Sequence, residues 1–107
     1  LHCAGVNYDN YLIKKKEEEI CKTLAPKATG VVLLENATKN LDLDFFICFS
    51  SLSGAIGSAG QADYASANAF MDEYCIYRNK LVEKGSRKGM FRCQTTDKGN
   101  CSDVCAT

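Results

Sequence analysis

An α/β fold with a parallel sheet is predicted for this 107-residue chain by three consecutive features. LDFFICFSS, Leu43 to Ser51, is a continuous apolar and aromatic run with the length of a strand covered on both faces. SLSGAIGSAG follows it and is rich in the serine and glycine of a loop. A helical stretch then extends from about Gln61 to Glu83, with Tyr64, Asn68, Met71 and Cys75 stepping along one side. Helix, strand, loop and helix in that order imply α/β layering, and in such folds ligands bind beyond the carboxyl ends of the strands, where SLSGAIGSAG lies.

The flanking segments complete the pattern. LHCAGV has the character of the end of a buried strand entering a glycine turn. KKKEEEICKTL, Lys14 to Leu24, is expected as a helix with Ile20 and Leu24 on one face, its KKKEEE run a solvated surface. Pro26 suits the first turn of a second helix, where a missing amide hydrogen is harmless, and KATGVVLLENATKN carries that helix on. Gly30 within it costs about 1 kcal/mol relative to alanine, which predicts a close contact there. After Gly85 the apolar periodicity ends, so the expected organisation is an ordered body over residues 1–89 and a polar, cysteine-containing loop or disordered tail over 90–107.

Charge and composition narrow the possible functions. Thirteen basic and thirteen acidic side chains cancel, leaving no general attraction to nucleic acid or an anionic membrane. The apolar runs fall short of the roughly 18 residues of a membrane span, and the first ten residues lack the basic start and apolar run of a signal peptide. Cys3, Cys21, Cys48 and Cys75 sit in or beside apolar sequence, where a free thiol behaves as a small buried hydrophobe. Cys93, Cys101 and Cys105 are expected as unpaired thiols in the tail. No metal site is implied, because the only histidine, His2, is expected to be structural and the cysteine spacings match no zinc signature. A reduced, cytoplasmic chain is the expectation.

The chemistry concentrates in GQADYASANAF, Gly60 to Phe70. Tyr64 lies among small residues, so either the helix packs closely there or the phenol stays reachable from outside. Ser51 ends the strand, Tyr64 opens the next helix and Lys27 lies on an earlier one. A phenol is a weak acid near neutral pH, with a reference pKa of about 10, and a nearby ammonium stabilises its anion. A serine hydroxyl can hold a carbonyl oxygen while the tyrosine delivers a proton to it. Such a site needs a hydride donor, which no side chain supplies. Taken singly, Tyr64, Lys27, Ser51 and Asn68 have ordinary structural readings: a packed phenol, a solvated ammonium, a turn hydroxyl and a backbone-bonding amide.

Taken together, HCAG (His2 to Gly5), LAPKATG (Leu24 to Gly30) and LDFFICFSSLSGAIGSAGQADYASANAF (Leu43 to Phe70) resemble, in order and spacing, the catalytic half of a polyketide synthase ketoreductase domain. That family belongs to the short-chain dehydrogenase/reductase superfamily, so the resemblance implies a partial Rossmann-like parallel sheet with flanking helices. Most of the superfamily has a lysine four residues after the tyrosine; here Asn68 stands there and the lysine comes from the earlier helix. The resemblance implies Tyr64 as proton donor, Ser51 as the carbonyl-orienting hydroxyl, Lys27 as the cation beside tyrosine and cofactor, and Asn68 as the fourth member. Ala4 and Gly5 would lie along the cofactor with Lys27 and Tyr64. Asp9 stands where B-type ketoreductases have the last aspartate of a Leu-Asp-Asp motif, although Asn7 and Tyr8 replace its neighbours, and Ile56 stands where A-type enzymes have tryptophan.

The implied reaction is NADPH-dependent reduction of a β-ketoacyl thioester on an acyl carrier protein, among other domains of one synthase. The family also has an upstream dinucleotide-binding βαβ unit, which these residues do not supply. With Leu1 in place of an initiator methionine, that predicts a fragment inactive by itself. The alternative is a non-catalytic structural or interaction piece.

Overall fold

The computed structural model describes residues 1–95. A 3-10 turn, Leu12–Lys14, leads into α1, Glu17–Lys27, and α2, Thr29–Thr38. β1, Phe45–Ser50, is followed by the short α3, Ser53–Ile56, then by α4, Ala62–Glu83, and β2, Met90–Thr95. β1 and β2 pair in parallel, from Phe45 opposite Met90 to Ser50 opposite Thr95. Parallel neighbours need a long crossover, and α4 provides it. The opening residues add a single parallel bridge on the other edge of β1: His2 N–H donates to Ile47 O at 2.8 Å and Phe49 N–H donates to His2 O at 3.1 Å. His2 is therefore structural, and its Nε2 also lies 2.7 Å from Pro26 O.

Four expectations about the helices and strands change. Met90–Thr95, expected as loop or disordered tail, form β2, because Phe91 and Cys93 are apolar at period two and reach the core. The remaining tail residues, with Cys101 and Cys105, lie outside the described residues. Pro26 falls inside the last turn of α1 rather than the first turn of α2; α1 ends at the next residue and Ala28 serves both helices as a cap. The described residues cover only one face of β1 fully: Phe46, Cys48 and Ser50 are buried, whereas Phe45 is 58 % exposed and Ile47 and Phe49 are half-buried. Residues Ser53–Ile56 of the expected loop close a helical turn. The long helix over 61–83 stands as expected, with Asn68, Met71 and Cys75 fully buried and Tyr64 half-buried along one side.

The core lies between one face of the sheet and α4 and comprises Val31, Phe46, Cys48, Met71, Cys75, Phe91 and Cys93. Phe46 and Phe91, partners in the ladder, stack at 4.1 Å between ring centroids. Cys48 and Cys75 are buried thiols as expected; Cys93 joins them in the core instead of a tail, while Cys3 and Cys21 are exposed. Hydrogen bonding with Cys48 and Cys93, together with burial, pushes the Cys75 thiol far up, so it stays protonated and packs as a hydrophobe. Gly30 does mark a close approach, its missing side chain leaving room for Ala25 O and the His2 ring.

Polar contacts set the direction in which α4 hands the chain to β2. Arg78 is 4 % exposed, donates from Nε to Glu35 Oε1 of α2 at 2.9 Å and from a terminal nitrogen to Lys88 O at 2.7 Å, and covers the Phe91 ring. Arg87 shares the same Glu35 oxygen at 3.0 Å. Asn79 imitates a strand edge: its amide donates to Phe91 O and its carbonyl accepts from Phe91 N–H, at 2.7 and 2.8 Å. Gly89, at φ +76°, lets the chain enter β2 close to Leu43 O, where a side chain would collide with the backbone. Arg78→Met is expected to destabilise the fold by about 3 kcal/mol, because it strips a buried carboxylate of its main partner; urea unfolding measures it, and a loss below about 1 kcal/mol would mean Arg87 suffices.

Candidate active site

The end of α1 and the second turn of α4 meet at a buried ammonium. Lys27 is 6 % exposed. Its Nζ donates to Phe49 O of β1 at 2.7 Å and to Asn68 Oδ1 of α4 at 2.8 Å. The Asn68 amide then donates back along its own helix to Tyr64 O at 2.8 Å, and the Lys27 Nζ stands 5.5 Å from the centroid of the Tyr64 ring, within cation–π range. The structure thus brings Lys27, Tyr64 and Asn68 together although they come from two helices. Burial lowers the Lys27 pKa from its ordinary value of 10.5, with Cys93 and Asp72 opposing the shift.

A cleft of about 240 Å³ opens beside this group, lined by Gly5, Val6 and Asn7 together with Lys27, Ser50 and Tyr64. Gly5 packs closely on the lysine stem, since a Cβ there would stand 3.0 Å from Lys27 Cε. Ala4 is exposed next to it. Ser51 is buried and, unlike Ser50, is not among the residues lining this cleft; the Ser51 hydroxyl accepts from the Ser53 hydroxyl at 3.1 Å and, at 3.4 Å, from the Ser53 amide. α3 sits so close to α4 that a Cβ on Gly54 would stand 2.9 Å from Asn68 Cβ and Ala69 N, so the serine loop is held directly against the helix bearing Tyr64. Asp9 Oδ1 accepts from Gln61 Nε2 at 2.9 Å, and Ile56 is 75 % exposed at the end of α3. No cluster of histidine, cysteine and carboxylate groups among the described residues is arranged to hold a metal.

One pair escaped the sequence analysis. Lys15, expected on a solvated face, has a fully buried side chain and lies 2.9 Å from Asp63, the residue before Tyr64. It also donates to Tyr8 O. Burial pushes the Asp63 carboxyl up, but hydrogen bonds from Lys15 and the Tyr64 amide and the Lys15 charge outweigh it and hold the group below the ordinary carboxylate range. The only local signal was Asp63 in the first turn of a helix, where a carboxylate is favoured; its cation lies 48 positions away in sequence.

A buried lysine on a strand carbonyl, an asparagine and a tyrosine thus meet beside a cleft at the carboxyl end of a parallel strand, in a fold of the short-chain dehydrogenase/reductase type. The family model for the KR domain matches residues 1–87, and the chain belongs to this ketoreductase family of polyketide synthases. Over 89 residues, 83 % of the chain, it is 57 % identical to the polyketide synthase PksN of Bacillus subtilis and 46 % identical to the polyketide synthase ThaG of Burkholderia thailandensis. The chain spans 2 % of the length of each of these relatives. Among solved structures, a ketoreductase domain from the bacillaene assembly line superposes with a TM-score of 0.84 at 39 % identity, covering 96 % of this chain and 25 % of that one. The first ketoreductase of the tylosin synthase gives 0.78 at 27 %, covering 96 % and 22 %. The fold therefore superposes on only a part of each of these larger structures. No described helix is long and apolar enough to cross a membrane.

The lowered Lys27 pKa gives a pH dependence of stability with a definite sign. Between the lowered value and 10.5 the unfolded chain binds more protons at this residue than the folded one, so its burial costs less as the pH rises. The unfolding free energy of the wild type relative to Lys27→Met should increase as the pH approaches 10.5. Denaturant titrations at several pH values measure it, and a flat difference would refute the buried charge.

Proposed function

We propose that this chain is the catalytic part of a ketoreductase that uses NADPH to reduce a β-ketoacyl thioester, presented by an acyl carrier protein, to the β-hydroxyacyl thioester. The observation that carries the proposal is the Lys27, Asn68 and Tyr64 cluster at the mouth of a cleft beside Gly5. Membership of the family and the synthase relatives support it.

Tyr64 is the proton donor to the ketone oxygen. A half-buried phenol near a positive charge is suited to this, because the ammonium stabilises the phenolate left behind. Lys27 supplies that charge without being consumed: Phe49 O and Asn68 Oδ1 fix its position before the reaction, so little reorganisation is needed. Asn68 acts through Lys27 and through the backbone of Tyr64. Ser51 is assigned to the ketone oxygen as a hydrogen-bond donor; its oxygen accepts from the Ser53 hydroxyl and amide, and its own proton is the one offered to substrate. The residues fit the nicotinamide end of the cofactor: Ala4 and Gly5 offer close backbone approach, and Lys27 and Tyr64 offer polar contacts to the ribose. When bound, NADPH supplies the hydride. Asp9, held by Gln61 at the start of α4, and Ile56 are assigned to the control of substrate face, in the B-type sense that gives a D-configured hydroxyl.

In the complete domain, Tyr64→Phe should lower kcat/KM for a β-ketoacyl thioester by roughly 10²- to 10⁴-fold with little change in fold. NADPH oxidation at 340 nm and circular dichroism measure the two effects; near-normal turnover would remove the assignment. The 107-residue segment alone is expected to bind NADPH weakly and show no turnover, because it supplies no upstream phosphate-binding βαβ unit. Cofactor fluorescence titration checks this, and reduction by the segment alone would contradict it.

A further inference from the structure

We infer that the buried Lys15–Asp63 pair is a positioning device that holds the cleft-lining loop against the start of α4, so that Tyr64 and the opposite wall keep one spacing. This rests on the ketoreductase reading of Tyr64 and goes beyond it by assigning a role to two residues outside the catalytic group.

The loop is tied to the start of α4 at three successive points. Asn10 N–H donates to Gly60 O at 2.9 Å, Gln61 Nε2 donates to Asp9 Oδ1 at 2.9 Å, and Lys15 Nζ meets Asp63 at 2.9 Å. Lys15 also donates to Tyr8 O, back within the loop. Asp63 Oδ1 in turn accepts the Tyr64 amide at 2.9 Å. One carboxylate therefore couples the backbone of the proton donor to the segment whose Gly5, Val6 and Asn7 line the cleft with Tyr64.

Stability alone does not account for such a pair. Removing two charges from water offsets much of their attraction, so an apolar pair of similar volume would stabilise the fold about as well. What the ions add is direction: the ammonium satisfies the carboxylate and the Tyr8 carbonyl together only when loop and helix stand at one separation. A proton-transfer site depends on that separation, because a displacement of about 1 Å can cost about 10²-fold in rate.

The test uses Lys15→Met, Lys15→Arg and Asp63→Asn in the complete domain, with hydrogen exchange and steady-state kinetics on a β-ketoacyl thioester. Lys15→Met should accelerate amide exchange in peptides covering residues 5–15 and 60–68, leave β1 and the second half of α4 unchanged, and lower kcat by roughly 10- to 100-fold with KM changed less than about threefold. Lys15→Arg should keep kcat within about threefold of wild type, since it restores the charge. Asp63→Asn keeps an acceptor for the Tyr64 amide but loses the charge, and should reproduce the Lys15→Met pattern; it decides the matter if Lys15→Met does not fold. Wild-type exchange and kcat in Lys15→Met or Asp63→Asn would overturn the inference, as would accelerated exchange spread over the whole domain. A wild-type domain that reduces no β-ketoacyl thioester would instead overturn the ketoreductase reading, while the exchange pattern would still decide whether this pair holds the loop.

Discussion

The Lys27 ammonium is the constraint around which the rest of this structure is arranged. A charge removed from water must be repaid by nearby dipoles, and here they come from elements far apart in sequence: Phe49 O of β1 and Asn68 Oδ1 of α4. Satisfying it requires α1 to end beside the carboxyl end of the strand and α4 to begin there too. Pro26 and the shared cap at Ala28 stop α1 directly after Lys27, and the absence of a side chain at Gly5 leaves room for the lysine stem. The same contacts that stabilise the charge place it beside the Tyr64 ring.

A second set of buried polar contacts works at the opposite end of α4. Glu35, Arg78 and Asn79 fasten α2, α4 and β2 together, so that the helix can act as a rigid crossover between two parallel strands. Between these ends lies an apolar middle of Met71, Cys75 and the strand residues Phe46, Cys48, Phe91 and Cys93. The long helix transmits position from core to site: anchoring its later turns fixes where its first turns, with Asp63, Tyr64 and Asn68, meet the cleft.

The members of the proposed group were legible as candidates in the primary structure, because their order and spacing set them apart from the surrounding sequence. Tyr64 and Asn68 are one helical turn apart, and Lys27 is marked by LAPKATG. Lys15 was not legible. In KKKEEE nothing distinguishes it from Lys14 and Lys16, and only the approach of α4 buries it. β2 was hidden for a related reason: a short strand with Arg92 between Phe91 and Cys93 and a polar stretch after it reads as loop until a paired neighbour supplies hydrogen bonds and a buried face.

The sequence by itself determined the α/β class, the long helix over 61–83, the principal strand and the residue types of the proposed catalytic group, since periodicity and motif spacing are properties of the chain alone. Only the tertiary structure decided that Lys27 faces Asn68 and the Tyr64 ring, that Ser51 rests against Ser53 while Ser50 lines the cleft, and that Lys15 is paired instead of solvated. Each of these depends on the desolvation of a polar group by elements distant in sequence, and burial of that kind exists only once the elements have packed.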